Sequence, residues 1–170
     1  MTQALQSSIL SLARRCPSVT SNNLSGRSYF ENKWLSPKDL HQSQDPAVRS
    51  LLSKTLLLAT TYAYLLSSKR SHLVYHSCWA MISENGLAGA PHSHIGVISG
   101  VTYLEAGDSG QGDAGGRLIM HPPGPSEQEA IVPRTGDLIL FPSTQVHSVE
   151  RYTSDAPRMV ISFNLQPTAD

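Results

Sequence analysis

Seven histidines stand in this chain: His41, His72, His76, His92, His94, His121 and His147. Two of them form His92-Ser93-His94. Residues i and i+2 of an extended segment point to one side, so two imidazoles at this spacing reach one metal ion. A lone HxH equally fits a pair of surface or hydrogen-bonded histidines. His147 strengthens the metal reading. It follows Phe141-Pro142-Ser143 at the mouth of another short apolar run, 53 residues after His94. Three neutral imidazoles suit iron, zinc, copper or nickel.

Arg158 comes 11 residues after His147 and leads into the apolar run Met159–Leu165. A charge entering a buried strand either reaches back to water or requires a partner. The partner it suits best is a carboxylate gripped in bidentate fashion. By period two, Arg158, Val160, Ser162 and Asn164 share a strand face, so Ser162 or Asn164 can assist the grip. Tyr103 shares a face with Val97, Ser99 and Val101, either as plain core or as a hydroxyl donor to the same carboxylate. Gly107-Asp108-Ser109-Gly110 looks like a serine-protease nucleophile loop, but no His and Asp precede it in the required order. The glycine run 107–116 has no GK[ST] and opens no helix, so it is no phosphate loop. It reads as a flexible hairpin loop beside the active-site mouth.

These residues need elements to hold them. Residues 1–15 have the spacing of an amphipathic helix. Ser36-Pro37 and Asp45-Pro46 both carry helix-start signals. After Pro46, the residues Val48, Leu51, Leu52, Leu58, Tyr62, Leu65 and Leu66 mark one helix face, ending near Ser67–Arg70. Tyr62 and Tyr64 belong to core packing, with a homodimer contact as the alternative. From residue 72 the period becomes alternating. Strands are expected at 72–83, 95–105, 117–121, 130–133, 138–141, 146–150 and 157–165, with a turn at Asn85-Gly86 and a break at His121–Ser126. The chain is therefore mainly β, an antiparallel sandwich or jelly roll with N-terminal helices packed on one sheet. It forms a single domain, 1–170, with a helical part over 1–70 and a β core over 72–166.

Composition narrows the classes. The chain has 170 residues with 13 basic and 13 acidic side chains. That balance argues against a nucleic-acid partner. Nine of the basic groups fall before residue 86 and nine of the acidic ones after it. No apolar run reaches the length of about 18–20 residues that spans a membrane, so no membrane partner is expected. Cys16 and Cys78 make neither a CxxC nor a disulfide framework, which suits a reducing, cytoplasmic location. A basic start free of acids up to Glu31 keeps a transit peptide as the alternative. Asn23-Leu24-Ser25 is a glycosylation sequon by pattern alone.

Three blocks carry a resemblance: HSHIGVISGVTYL (92–104), PRTGDLILFPSTQVHSVE (133–150) and PRMVISFN (157–164). They resemble the small family of 2-oxoglutarate- and Fe(II)-dependent oxygenases, whose pattern is close to H-x-H-P…SG-V-Y-Y-L, G-D-L-x-L-F-P-S-x-x-x-H-x-V and R-I-S-I-S-F-N. Looser similarity over 21–35 and 75–86 extends it across most of the chain. The resemblance implies a double-stranded β-helix, cupin-like in form, with iron at its open end. It makes His92 and His147 iron ligands and Arg158 the partner of the distal carboxylate of 2-oxoglutarate. At His94 the wider superfamily has Asp or Glu, so His94 either completes a three-His site or leaves a position to water. Ile95, Thr102 and His121 depart from the family pattern. His121 reads as a polar residue at a strand end, with a substrate-side acid/base role as the alternative.

The implied activity is an oxygenase acting on a small molecule. Fe(II) would be the cofactor, and O2 and 2-oxoglutarate the co-substrates. Two rivals stand beside it. One is a three-His, cupin-like iron dioxygenase that needs no 2-oxoglutarate, with Arg158 anchoring a substrate carboxylate. The other is a non-catalytic metal-binding β-helix protein. The loops 105–116 and 121–130 are expected to line the substrate site, and they carry no readable specificity code.

Overall fold

The structure is a computed structural model, and it describes residues 2–15 and 33–168. Cys16, the polar stretch 18–27 and the sequon at Asn23 lie outside the described residues.

The expected first helix is α1, Thr2–Arg15, which buries Leu5 and Ile9. The second, α2, spans Pro46–Ser67. Asp45 caps it, its carboxylate accepting from the backbone N–H groups of Ala47 and Val48, and Pro46 occupies the first turn. Ser68 ends it in the left-handed conformation. The Ser36-Pro37 start signal begins no α-helix; a 3-10 turn, Leu40–Gln42, follows it instead. Tertiary contacts use Ser36 elsewhere. Its hydroxyl accepts from the Ala80 N–H and donates to the Pro37 carbonyl, which clips this segment to a strand.

Nine strands follow the expected pattern with two additions. They are β1 Lys33–Leu35, β2 Leu73–Ser83, β3 Gly89–His92, β4 Ile98–Glu105, β5 Leu118–His121, β6 Glu129–Ile131, β7 Leu138–Pro142, β8 Val146–Val149 and β9 Arg158–Pro167. The sequence reading misses β1 and β3. It also starts β4 too early, since residues 95–97 bend. Two sheets result, a five-stranded one in the order β1-β2-β9-β4-β7 and a four-stranded one in the order β3-β8-β5-β6. Every strand pairing is antiparallel. From β2 to β9 the chain passes back and forth between two facing sheets, except that β5 and β6 form a hairpin within the four-stranded one, and this is the double-stranded β-helix.

Alternation in β9 and β4 divides the core in two. Met159, Ile161, Phe163 and Leu165, with Ile98 and Leu104, face outward and pack under α1 and α2 against Leu5, Ile9, Val48, Leu51 and Leu52. The side chain of Gly100 is missing for a reason: a Cβ there would meet the Phe163 ring and Leu140. Arg158, Val160, Ser162 and Asn164 face inward, with Ser99, Val101 and Tyr103 beside them through the β4–β9 register. That inner face, between the sheets, carries the site.

One expectation about α2 needs correcting. Leu58, Leu65 and Leu66 do not join Val48, Leu51 and Leu52 on a buried face but are exposed, and so is Tyr64, a residue expected in the core. The sheet beneath is covered by Thr55 and Ala59, and Tyr62 and Ala63 pack partly against it. The side-chain spacing allowed several faces, and contact with the sheet selected one.

Candidate metal centre

Three imidazoles meet at one end of the space between the sheets. His92 ends β3 and His147 lies in β8, and the two are register partners across that ladder. His94 follows in the bend after β3. Its backbone N–H donates to the Ser143 carbonyl at 2.8 Å, while Ser143 N–H donates to Val97 and Val97 N–H to Leu165. These bonds tie the bend to the edge of the five-stranded sheet. Gly96 makes the bend possible, with φ at +126° and the Leu165 carbonyl oxygen 2.5 Å from where a Cβ would sit.

The ring centroids are 4.5 Å apart for His92–His147, 4.8 Å for His92–His94 and 5.0 Å for His94–His147. One nitrogen from each ring lies within 4.8 Å of the others. Among the described residues this is the group able to hold a metal ion. Tautomers are set by backbone carbonyls. His92 Nδ1 lies 2.8 Å from the Ala90 oxygen and His147 Nδ1 3.0 Å from the Gln145 oxygen. A carbonyl only accepts, so each Nδ1 carries a proton, and in the neutral imidazole Nε2 is the nitrogen left to bind a metal. Burial, and then the charges of His147, His92 and Lys38, push the His94 pKa down to about 4. Burial also lowers His147, against the bond to Gln145. Both rings are thus neutral at neutral pH, the form a metal takes.

The second half of the site lies deeper. Arg158 is 2% exposed at the start of β9. One Nη donates to the Gly116 carbonyl at 3.2 Å; its Nε and other Nη lack a well-formed hydrogen bond, with the Tyr103 hydroxyl beside the guanidinium. Two rings flank the guanidinium, Tyr152 at 5.3 Å and Tyr103 at 5.8 Å from its carbon. Burial lowers the Arg158 pKa, and the two phenols oppose that. No carboxylate is paired with it: among the described residues the ion pair found is Arg117–Glu150, at the surface. A buried cation with unfilled donors is costly to keep. The cost is offset when a carboxylate ligand completes the fork.

The register gives the scale. Ser162 pairs with Trp79, whose ring lies 6.2 Å from His94. Arg158 is four residues further along the strand, roughly 13 Å at strand rise. The inner faces between them carry Met81, Val101 and Val160. Trp79, Met81, Val101, Ile139 and Ser162 are only partly buried, so this space is open rather than filled.

The sequence-derived residues therefore divide. His92, His94 and His147 come together, and Tyr103 comes to Arg158 as a buried ring. Ser162 shares the inner face but stands nearer the histidine end. Asn164 is engaged elsewhere: it donates to Ser77 and accepts from Ser99, which also bonds Ser143. This chain of hydroxyls braces the bend that holds His94. His121 sits at the end of β5, on the opposite face of its sheet from Met120 and His147, and is bonded to Ser148 at 2.8 Å. The 107–116 loop is not beside the histidines. It packs on Tyr152 at the Arg158 end, with Gly107 and Gly116 against that ring, because β4 runs away from the metal end. Of the two loops expected to line a substrate, only 121–130 is at the histidine end. Three neighbours escaped the sequence reading: Trp79, Tyr152, and Lys38, whose Nζ sits 5.4 Å from the Trp79 ring centre. Nothing local to these residues announces them; only strand pairing brings them in.

The donor set fits an iron ion, and the unfilled guanidinium fits a dicarboxylate. Comparison with known proteins agrees. A family model described as "Putative 2OG-Fe(II) oxygenase" matches residues 77–164. No curated protein matches the chain. Solved structures share the fold. A prolyl hydroxylase from Trichoplax adhaerens, in complex with a hypoxia inducible factor oxygen degradation domain peptide, aligns at TM-score 0.72 and 15% identity, over 96% of this chain and 77% of its own. A prolyl-4-hydroxylase from Pseudomonas putida aligns at 0.65 and 17%, over 99% and 88%. HygX from Streptomyces hygroscopicus, with nickel and 2-oxoglutarate bound, aligns at 0.65 and 12%, over 99% and 80%.

Proposed function

Because the chain belongs to the 2OG-Fe(II) oxygenase family, whose cofactor is Fe(II) and co-substrate 2-oxoglutarate, we propose that it oxidises a small organic molecule with His92, His94 and His147 as the iron ligands. Bound iron supplies the activation of O2, coupled to decarboxylation of 2-oxoglutarate to succinate and CO2. The chain's own residues bind and orient. Arg158 grips the distal carboxylate with the Nε and Nη that make no well-formed hydrogen bond in the protein, and this incompletely filled guanidinium is the observation that carries the reading. Tyr103 walls that carboxylate, and Met81, Val101 and Val160 flank the aliphatic chain. The Ala90 and Gln145 carbonyls hold the tautomers of His92 and His147. Three neutral imidazoles leave the ion's charge uncompensated, which favours a dianionic co-substrate.

The test is succinate release by purified protein supplied with Fe(II), ascorbate and 2-oxoglutarate under air. Release that requires Fe(II) and disappears in Arg158→Ala supports the proposal. The all-imidazole donor set favours one second reading, a dioxygenase that binds a substrate carboxylate at Arg158 directly. Protein that binds Fe(II) but shows no affinity for 2-oxoglutarate would select that reading.

A further inference from the structure

Helix α2 is apolar on two faces. Val48, Leu51, Leu52 and Ala59 are buried against the five-stranded sheet. The opposite face presents Leu57, Leu58, Tyr64 and Leu65, with Leu57 and Leu65 keeping 68% and 72% of their surface exposed. With Thr61 these residues recur at three- and four-residue spacing, one stripe along the last three turns. A helix apolar all round is normally covered on both sides, and a contiguous exposed apolar patch marks an interaction surface.

Charge indicates what covers it. From Pro46 to Ser83 the chain contains Arg49, Lys54, Lys69 and Arg70 and no acidic residue. All four basic side chains are exposed. Lys54 precedes the leucine stripe by one turn, and Lys69 and Arg70 follow its end. A second copy of the chain is a poor occupant, because a two-fold contact would bring these basic groups toward their own copies. An anionic lipid surface suits the leucines and the basic groups together. Leucine side chains enter the acyl boundary, and Lys and Arg extend their heads to the phosphates. We infer that the exposed face of α2 docks this protein onto an anionic membrane surface. The expectation of no membrane partner rests on the lack of a spanning run, and this contact is peripheral: among the described residues no helix is long and apolar enough to cross a membrane. The histidine cluster lies on the other face of the sheet that α2 covers, so changes to this stripe leave it untouched.

Vesicle co-sedimentation of the full chain tests this, with phosphatidylcholine vesicles that contain or lack phosphatidylserine. Wild type should sediment with the anionic vesicles, far less with neutral ones, and less as salt is raised. Leu57→Ser combined with Leu65→Ser should abolish sedimentation while circular dichroism and Mn(II) binding stay unchanged. Lys69→Glu combined with Arg70→Glu should weaken it by roughly tenfold or more. Wild type that ignores anionic vesicles overturns the inference, as does a double Leu variant that binds like wild type. Light scattering reads the rival occupant. A wild-type dimer that the double Leu variant converts to monomer, without vesicle binding, would assign the face to a second copy.

Discussion

His92 and His147 sit directly opposite each other on paired strands, with ring centroids 4.5 Å apart. Cross-strand partners have the shortest side-chain separation a sheet offers. The β3–β8 register alone therefore places two ligands, and only the third, His94, depends on a bend. That difference makes the three histidines unequal to substitution.

His92→Ala and His147→Ala should each reduce Mn(II) or Fe(II) binding below one equivalent with the fold retained. His94→Asp should still bind, and more tightly than wild type without 2-oxoglutarate, because a carboxylate adds charge neutralisation. Anaerobic calorimetry and metal analysis read both effects. Full metal content in His147→Ala would refute the ligand assignment; identical affinities for His94→Asp, His94→Ala and wild type would remove His94 from it.

Arg158→Ala should weaken 2-oxoglutarate binding to the Mn(II)-loaded protein by about 2–5 kcal/mol, roughly 30-fold to several-thousand-fold. Arg158→Lys should recover part of this, since an ammonium lacks the planar fork. Metal affinity should not change. Without co-substrate, Arg158→Met should be as stable as wild type or more so, because it removes a buried charge with unfilled donors. A large drop in Tm for Arg158→Met would mean the arginine is structural.

Gly96→Ala should damage the site without removing a ligand. The φ of +126° and the 2.5 Å approach of a Cβ to the Leu165 oxygen force the 94–97 bend to move. The strain is worth about 1–3 kcal/mol. Mn(II) affinity should fall roughly 10–100-fold, as for loss of a group that orients a ligand. Wild-type affinity in this variant would show that the bend does not position His94.

Asp45→Ala should cost about 1 kcal/mol as loss of a helix cap. Burial raises the Asp45 pKa, but the Ser8 hydroxyl and the N–H groups of Val48 and Ala47 outweigh it and hold the carboxyl below its ordinary value. Its folded pKa is thus depressed. The stabilisation is complete above the unfolded value of about 3.9 and is lost as pH falls through the folded one. The Tm difference between wild type and variant, measured against pH, should shrink only below about pH 4. A difference that stays constant into strong acid would contradict this.

Much of this protein is legible along the chain because the signals are local. Asp45-Pro46 starts a helix with atoms only two or three residues apart. Alternation in 157–165 predicts β9 and puts Arg158 and Ser162 on one face before any partner strand is known. The HxH, His147 and Arg158, with their surrounding motifs, point to iron and 2-oxoglutarate. Tertiary structure decided the rest, because it turns on neighbours far away in sequence. Gly89-Ala90-Pro91-His92 has poor strand composition and is a strand only because β8 pairs with it. Leu58 and Leu65 match a core face by spacing, and contact with the sheet left them in water. No local feature says whether Arg158 reaches solvent or is enclosed by Tyr103, Tyr152 and Gly116 with two donors unfilled. Period and capping act within one segment, whereas proximity across 53 residues requires a ladder to form and pack, and that is a property of the whole fold.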